Sequence, residues 1–273
     1  MIESIRKGEP SVLLLDCGAV FDDQKDTAEL QFQAMERMGY DALNLGGPEF
    51  IFGKEFLEQK RPHLSFPYIA SNLLYRGSRL PWTREYLLKE VDGIKVAILG
   101  VLDSDDLAQL PDREQAKGLE AMPPEAALNR LLPEVRGKAD LVILLSPFDA
   151  EKTLALVKAV KGVDVAISSG GDDVFFSTAP ENEKTVLLQT GSKGKVLGLL
   201  KISLDEKPAY RVIERRYVSL DNSVPGNAEI EGLVEKLKKA QETKKQESTN
   251  KALLEGLKLS PEEFIERYRK ELL

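Results

Sequence analysis

The residue with the most chemical potential in this 273-residue chain is its single cysteine, Cys17, in the segment LLLDCGAVF, directly after an apolar run and beside Asp16. Active sites in α/β proteins collect at the carboxyl ends of buried strands, so one reading is a reactive thiol serving as a redox group or soft-metal ligand. The other is a small buried side chain that packs as alanine would. Asp16 beside it would raise the thiol pKa and lower its reactivity. A second grouping is acidic. Gly170-Gly171-Asp172-Asp173, with Asp149 and Glu49 expected on the same strand-end edge, offers oxygen ligands suited to Ca²⁺ or Mg²⁺. Glycine and aspartate are also what a plain turn selects.

Several chemistries are excluded. The lone histidine, His63, stands between Pro62 and Leu64, away from both groupings, and no GxSxG is present to support Ser-His-Asp catalysis. Gly46-Gly47 and Gly170-Gly171 lack the spacing and the lysine of a phosphate loop. A single cysteine permits no intrachain disulfide and no CxxC pair. With 42% hydrophobic and 30% charged residues, the composition is that of a globular protein with a sizeable core. The net charge of −7 argues against a nucleic-acid or anionic-membrane surface. No stretch reaches the roughly 20 apolar residues of a membrane span, and MIESIRKGEP lacks the apolar core of a signal peptide.

Positioning these residues requires alternating elements. Ser11–Leu15, Ala42–Leu45, Pro67–Ala70, Leu141–Leu145 and Val163–Ile167 are apolar runs that predict buried strands. Helices are predicted over Thr27–Met38, stopped by Gly39, over Lys54–Gln59, within Pro124–Val135 and over Ala150–Val160. Asp92-Gly93 between Tyr86–Val91 and Lys95–Val101 is a hairpin signal. From Val174 the segments 174–177, 185–189, 196–203 and 210–219 are strand-like, which predicts a second sheet packed on the first and an α/β; four-layer α/β/β/α sandwich over residues 1–224. Residues 225–273 form a helical extension: a polar helix over Ala228–Gln246 with one apolar stripe, a flexible joint over Lys244–Asn250, and a capped helix start at Ser260-Pro261.

Five ordered segments carry a family resemblance. They are LLLDCGAVF, MGYDALNLGGPEFIFG, ADLVILLSPFD, VDVAISSGGDD and QTGSKGKVLG. Together they resemble the "DaGD", "MGYDa…lGNHEFdfG", "LsH", "vDviiGGHtH" and "qaGsyGkylG" blocks of calcineurin-like metallophosphoesterases, specifically the 5′-nucleotidase and UDP-sugar hydrolase (UshA-like) branch. The resemblance covers roughly residues 1–220. It implies the four-layer fold, two divalent metals at the strand ends, hydrolysis of phosphoesters or nucleotides, and a periplasmic or otherwise extracytoplasmic setting.

The same resemblance implies a degenerate member. Asp16 and Gly18 are kept, but the family's bridging aspartate falls on Ala19. The ligand asparagine falls on Gly47 and the catalytic histidine on Pro48, with Glu49 retained as a loop support. The remaining histidines fall on Pro147, Gly170 and Asp172, and of these only Asp172 carries a metal-binding oxygen. The opening "DlHG" block has no counterpart before Ser11. Proline, glycine and alanine offer no side-chain donor, so the family's dinuclear site is not expected to form and no cofactor is expected. The leading functional expectation is a binding or scaffold module for an unknown small ligand or protein partner. The alternatives are a thiol or redox enzyme using Cys17, and residual hydrolase activity completed by an absent N-terminal segment.

Overall fold

The computed structural model describes residues 1–9, 11–171, 175–178, 185–191, 193–206 and 209–256. They divide into two compact units, Met1–Pro225 and Gly226–Leu273. The first unit opens with α1 (Ile2–Gly8), β1 (Leu15–Asp16), α2 (Lys25–Met38), β2 (Ala42–Asn44), α3 (Lys54–Lys60), β3 (Tyr68–Ile69), β4 (Leu73–Tyr75) and β5 (Thr83–Arg84). It continues through β6 (Tyr86–Val91), β7 (Ile94–Gly100), α4 (Ser104–Ala108), β8 (Leu119–Ala121), α5 (Pro124–Arg136), β9 (Leu141–Ser146), α6 (Ala150–Val160) and β10 (Val165–Ser168). It closes with β11 (Phe175–Thr178), β12 (Val186–Gln189), β13 (Val196–Glu206) and β14 (Ala209–Ser219). The described part of the second unit is one helix, α7 (Ala228–Gly256).

Two sheets organise the first unit. One is all parallel, in the order β1-β2-β3-β5. The other runs β11-β12-β10-β9-β7-β6, parallel in its centre and antiparallel at both edges. Three cores separate four layers. Ala28, Phe32 and Met35 of α2 and Phe56 and Leu57 of α3 bury against Leu43 and Tyr68 of the first sheet. Ala42 and Ile69 of the first sheet meet Val96, Ile98, Ile143, Leu145 and Val165 of the second. Leu128, Leu131 and Val135 of α5 and Val157 and Val160 of α6 cover the other face of the second sheet. Central parallel strands are apolar on both faces because both are covered, which is why Leu141–Ser146 is buried throughout. The α/β/β/α sandwich is therefore observed.

Two expectations change. The second sheet does not begin at Val174: it begins at β6, and it takes in β9 and β10, which the sequence reading placed with the first sheet. Strand order is set by pairing at a distance, and the parallel crossovers through α5 and α6 carry β7, β9 and β10 side by side. β13 and β14 form a separate ribbon, and Leu200, Ile202, Tyr210 and Val212 pack it onto the inter-sheet core. The flexible joint at Lys244–Asn250 is instead helical. That stretch holds no glycine or proline, and the hydroxyls of Thr243 and Thr249 bond back to the carbonyls of Lys239 and Lys245, 2.9 Å each. The helix start at Ser260-Pro261 lies outside the described residues.

Candidate functional site

The carboxyl ends of β1 and β2 make one side of the candidate site. After β1 the chain turns through Gly18, at φ 92°, and Ala19, at φ 61°. A side chain at residue 18 would overlap the Asn44 carbonyl and the Gly46 amide, 2.7 and 2.9 Å from an ideal Cβ, so only glycine fits. Ala19 is exposed and holds a left-handed conformation that costs an alanine about 1–2 kcal/mol. Glu49 holds it there. Its fully buried carboxylate accepts hydrogen bonds from the Ala19 amide (3.0 Å), the Val20 amide (2.6 Å) and the Gly46 amide (2.7 Å), stapling the turn after β1 to the loop after β2. Burial raises the Glu49 carboxyl to about 7, against the pull of these amides. Burial likewise raises Asp16 to about 6, partly offset by the Gly18 amide it accepts at 2.9 Å.

Cys17 points the other way, into the core between the sheets. It is 5% exposed, and its Sγ donates to the Ile167 carbonyl at 3.2 Å. Burial, and then the nearby Asp16 charge, push its thiol well above the ordinary range, which favours the protonated form. This setting accords with the reading of Cys17 as a small buried side chain.

The ends of β9 and β10 make the second side. Ser146 and Thr153 hydroxyls share a hydrogen bond of 2.8 Å with both residues fully buried, and Ser168 Oγ donates to the Phe148 carbonyl at 2.5 Å. Gly170 lies directly on the turn Pro147-Phe148-Asp149. An ideal Cβ there would come 2.6 Å from the Pro147 carbonyl and overlap the Phe148 and Asp149 backbone. Gln189 Nε2 fixes this arrangement by donating to the Gly170 carbonyl at 2.9 Å. Asp149 is exposed and spent as the cap of α6, accepting the Lys152 amide at 2.8 Å.

Asn44 and α4 join the edge. Asn44, fully buried at the end of β2, donates to the carbonyls of Cys17 (2.9 Å) and Val101 (2.8 Å), tying both sheets together. Asn72 does the same beyond β3 and β7, bonding to Leu102 and to the Met122 carbonyl. Asp106 in α4 sits against Gly47, its Cβ 2.4 Å and its carbonyl carbon and oxygen 2.8 and 2.9 Å from where a Cβ would lie. Lys152 pairs with Asp103 and lies 4.3 Å from the Phe148 ring centroid. Burial raises Asp103, but the bonds from Lys152 and the Asp105 amide more than offset it and leave its carboxyl below the usual range.

The structure thus brings Asp16, Ala19, Gly47, Pro48 and Glu49 to one side and Pro147 and Gly170 to the other. Asp172 and Asp173 lie outside the described residues. Asn44, Asn72, Asp106, Lys152 and Gln189 were missed. Asn44 and Gln189 each carried a signal, as a polar residue closing an otherwise apolar strand. Among the described residues the implied metals find little to hold them: residues 19, 47, 48, 147 and 170 carry no side-chain donor, Glu49 is taken up by three amides, and no three acidic, histidine or cysteine side chains group to share an ion.

No family model matches the chain. It is 26% identical over 271 residues to a 5′-nucleotidase of Bos taurus, covering 86% of this chain and 45% of that one. It is 28% identical over 153 residues to Protein UshA of Yersinia enterocolitica, covering 52% of this chain and 28% of that one. The chain therefore spans less than half the length of these relatives. Among solved structures, the 5′-nucleotidase precursor of Thermus thermophilus superposes with a TM-score of 0.76 at 19% identity, covering 89% of this chain and 52% of that one. By sequence and by fold, the neighbours of this chain are the 5′-nucleotidase/UshA-like calcineurin-like phosphoesterases.

Proposed function

We propose that this chain is a catalytically silent 5′-nucleotidase-type domain that serves as a binding or scaffold module for a small ligand or a protein partner. One observation carries the reading: at the strand ends where ligands would stand, the protein's own backbone and side chains take up the donors and the space. Glu49 is saturated by three amides, Gly47 is covered by Asp106, and Gly170 is closed against Pro147–Asp149. Metal-activated water needs an open coordination position on a held ion, and residues 19, 47, 48, 147 and 170 supply no side-chain donor to hold one. The domain boundary at Pro225 fits a module with a separable helical extension. No helix among the described residues is long and apolar enough to cross a membrane. The UshA-like resemblance favours an extracytoplasmic setting, which cell fractionation would test.

Purified native polypeptide should hold no stoichiometric Mn²⁺, Zn²⁺ or iron and should not hydrolyse nucleotide monophosphates or p-nitrophenyl phosphate above background. Two tightly bound metal ions per chain, or turnover abolished by a chelator, would reject the proposal in favour of residual hydrolase activity. The thiol alternative finds no support in a Cys17 that is buried, bonded and held protonated.

A further inference from the structure

The geometry points to α4 as a built-in plug that closes the Gly47 end of the strand-end edge and is latched from the opposite side by Lys152. Four observations meet in this short helix. Asp106 occupies the volume that any side chain at residue 47 would need, with its Cβ 2.4 Å, its carbonyl carbon 2.8 Å and its oxygen 2.9 Å from the ideal Cβ position. Gly47 itself is buried beneath it. Leu107 and, just beyond the helix, Leu110 anchor the segment in the core shared with α2 and α3, at 5% and 7% exposure. The cap residue Asp103 both accepts the Asp105 amide at 3.1 Å and pairs with Lys152, so one carboxylate starts the helix and ties it to α6. Lys152 is in turn seated on the Phe148 ring. The first side of the edge, after β2, and the second, after β9, are therefore bridged by α4 whatever chemistry the edge performs.

The latch is the part designed to yield. Asp103 and Lys152 are 20% and 54% exposed at the side chain, a setting in which an ion pair is weak and salt-sensitive. The anchor at Leu107 and Leu110 is apolar and is not. Breaking the latch should loosen the helix without unfolding the sandwich.

Hydrogen–deuterium exchange of the full chain, read over residues 104–110, tests this. Lys152→Met should raise exchange in that segment by about two- to five-fold, the range a partly exposed ion pair supports, while α5 and β9 keep wild-type protection. Asp103→Asn should do the same, because asparagine still caps a helix but no longer pairs with lysine. Lys152→Arg should behave as wild type, and raising salt to about 0.5 M should move wild type toward Lys152→Met. Gly47→Ala should release the segment further still, because the methyl group and Asp106 cannot share one space. The inference is overturned if the two latch variants leave exchange unchanged, or if Gly47→Ala folds cooperatively with 104–110 as protected as before. Should Gly47→Ala not fold, the latch variants decide alone, since both alter partly exposed side chains.

Discussion

The two sides of the strand-end edge solve the same problem with different chemistry. After β1 and β2, a buried carboxylate gathers three amides from two loops. After β9 and β10, neutral hydroxyls, an amide side chain and direct backbone contact divide the task among Ser146, Thr153, Ser168, Gln189 and Gly170. The first arrangement concentrates stability in one ionisable residue, and the second spreads it over groups that do not titrate. Concentrated support is strong but tied to pH; distributed support is weaker bond by bond and indifferent to it.

The largest effect should come from Glu49→Ala. It leaves the buried amide of Gly46 and the part-buried amides of Ala19 and Val20 without their acceptor, and removes a buried side chain, so a loss of about 3 kcal/mol in urea unfolding is expected. A loss under about 1 kcal/mol would mean that the staple is incidental and the comparison collapses.

The pH response comes next. Asp16 and Glu49 are raised in the folded chain to about 6 and about 7, against roughly 3.9 and 4.3 when unfolded. A raised acid binds its proton more tightly in the native state, so its contribution is fully present below the unfolded value and is lost as pH rises through the folded one. Stability should therefore fall between pH 5 and pH 8, by on the order of 4 kcal/mol with the larger part from Glu49, and Glu49→Gln should flatten most of that slope. Greater stability at pH 8 than at pH 5 would invert the first half of the comparison.

The smallest effect belongs to the neutral side. Thr153→Val keeps the volume of a fully buried residue but removes the partner of Ser146, at a cost of about 1 kcal/mol that should be the same at pH 5 and pH 8. A pH-dependent loss would show that the two sides are coupled.

Much of this fold is legible in the sequence where the signal is local. The helix predicted over Ala150–Val160 is observed with the same bounds, where Asp149 caps it and Val157 and Val160 are buried. The hairpin between β6 and β7 follows from Asp92-Gly93, both at positive φ. The short segments are uneven: β3 falls inside the apolar run Pro67–Ala70, but β5 has only two residues, and the ribbon of β4 with β8 pairs residues almost fifty apart, supported by Asn72. α4 did carry signals, an aspartate cap at Asp103 and a proline at 111, but five residues show no periodicity to weigh. For the site, the motif blocks lie at strand ends, because each follows an apolar run that pairs into a sheet. What fills that edge was hidden, since Asp106 meets Gly47 through its Cβ and main chain, atoms that every residue but glycine carries, and leaves no trace in side-chain type.

The left-handed turn at Ala19 has a consequence for redesign. Aspartate and asparagine tolerate that conformation better than alanine does, and the backbone already adopts it, so an acidic residue could stand at position 19 with little disturbance. Position 47 is the opposite case, because Asp106 fills the space an asparagine there would need. Any attempt to install metal ligands at this edge would therefore find position 19 ready for an acid and would have to rebuild residues 103–110 before position 47 could take a side chain.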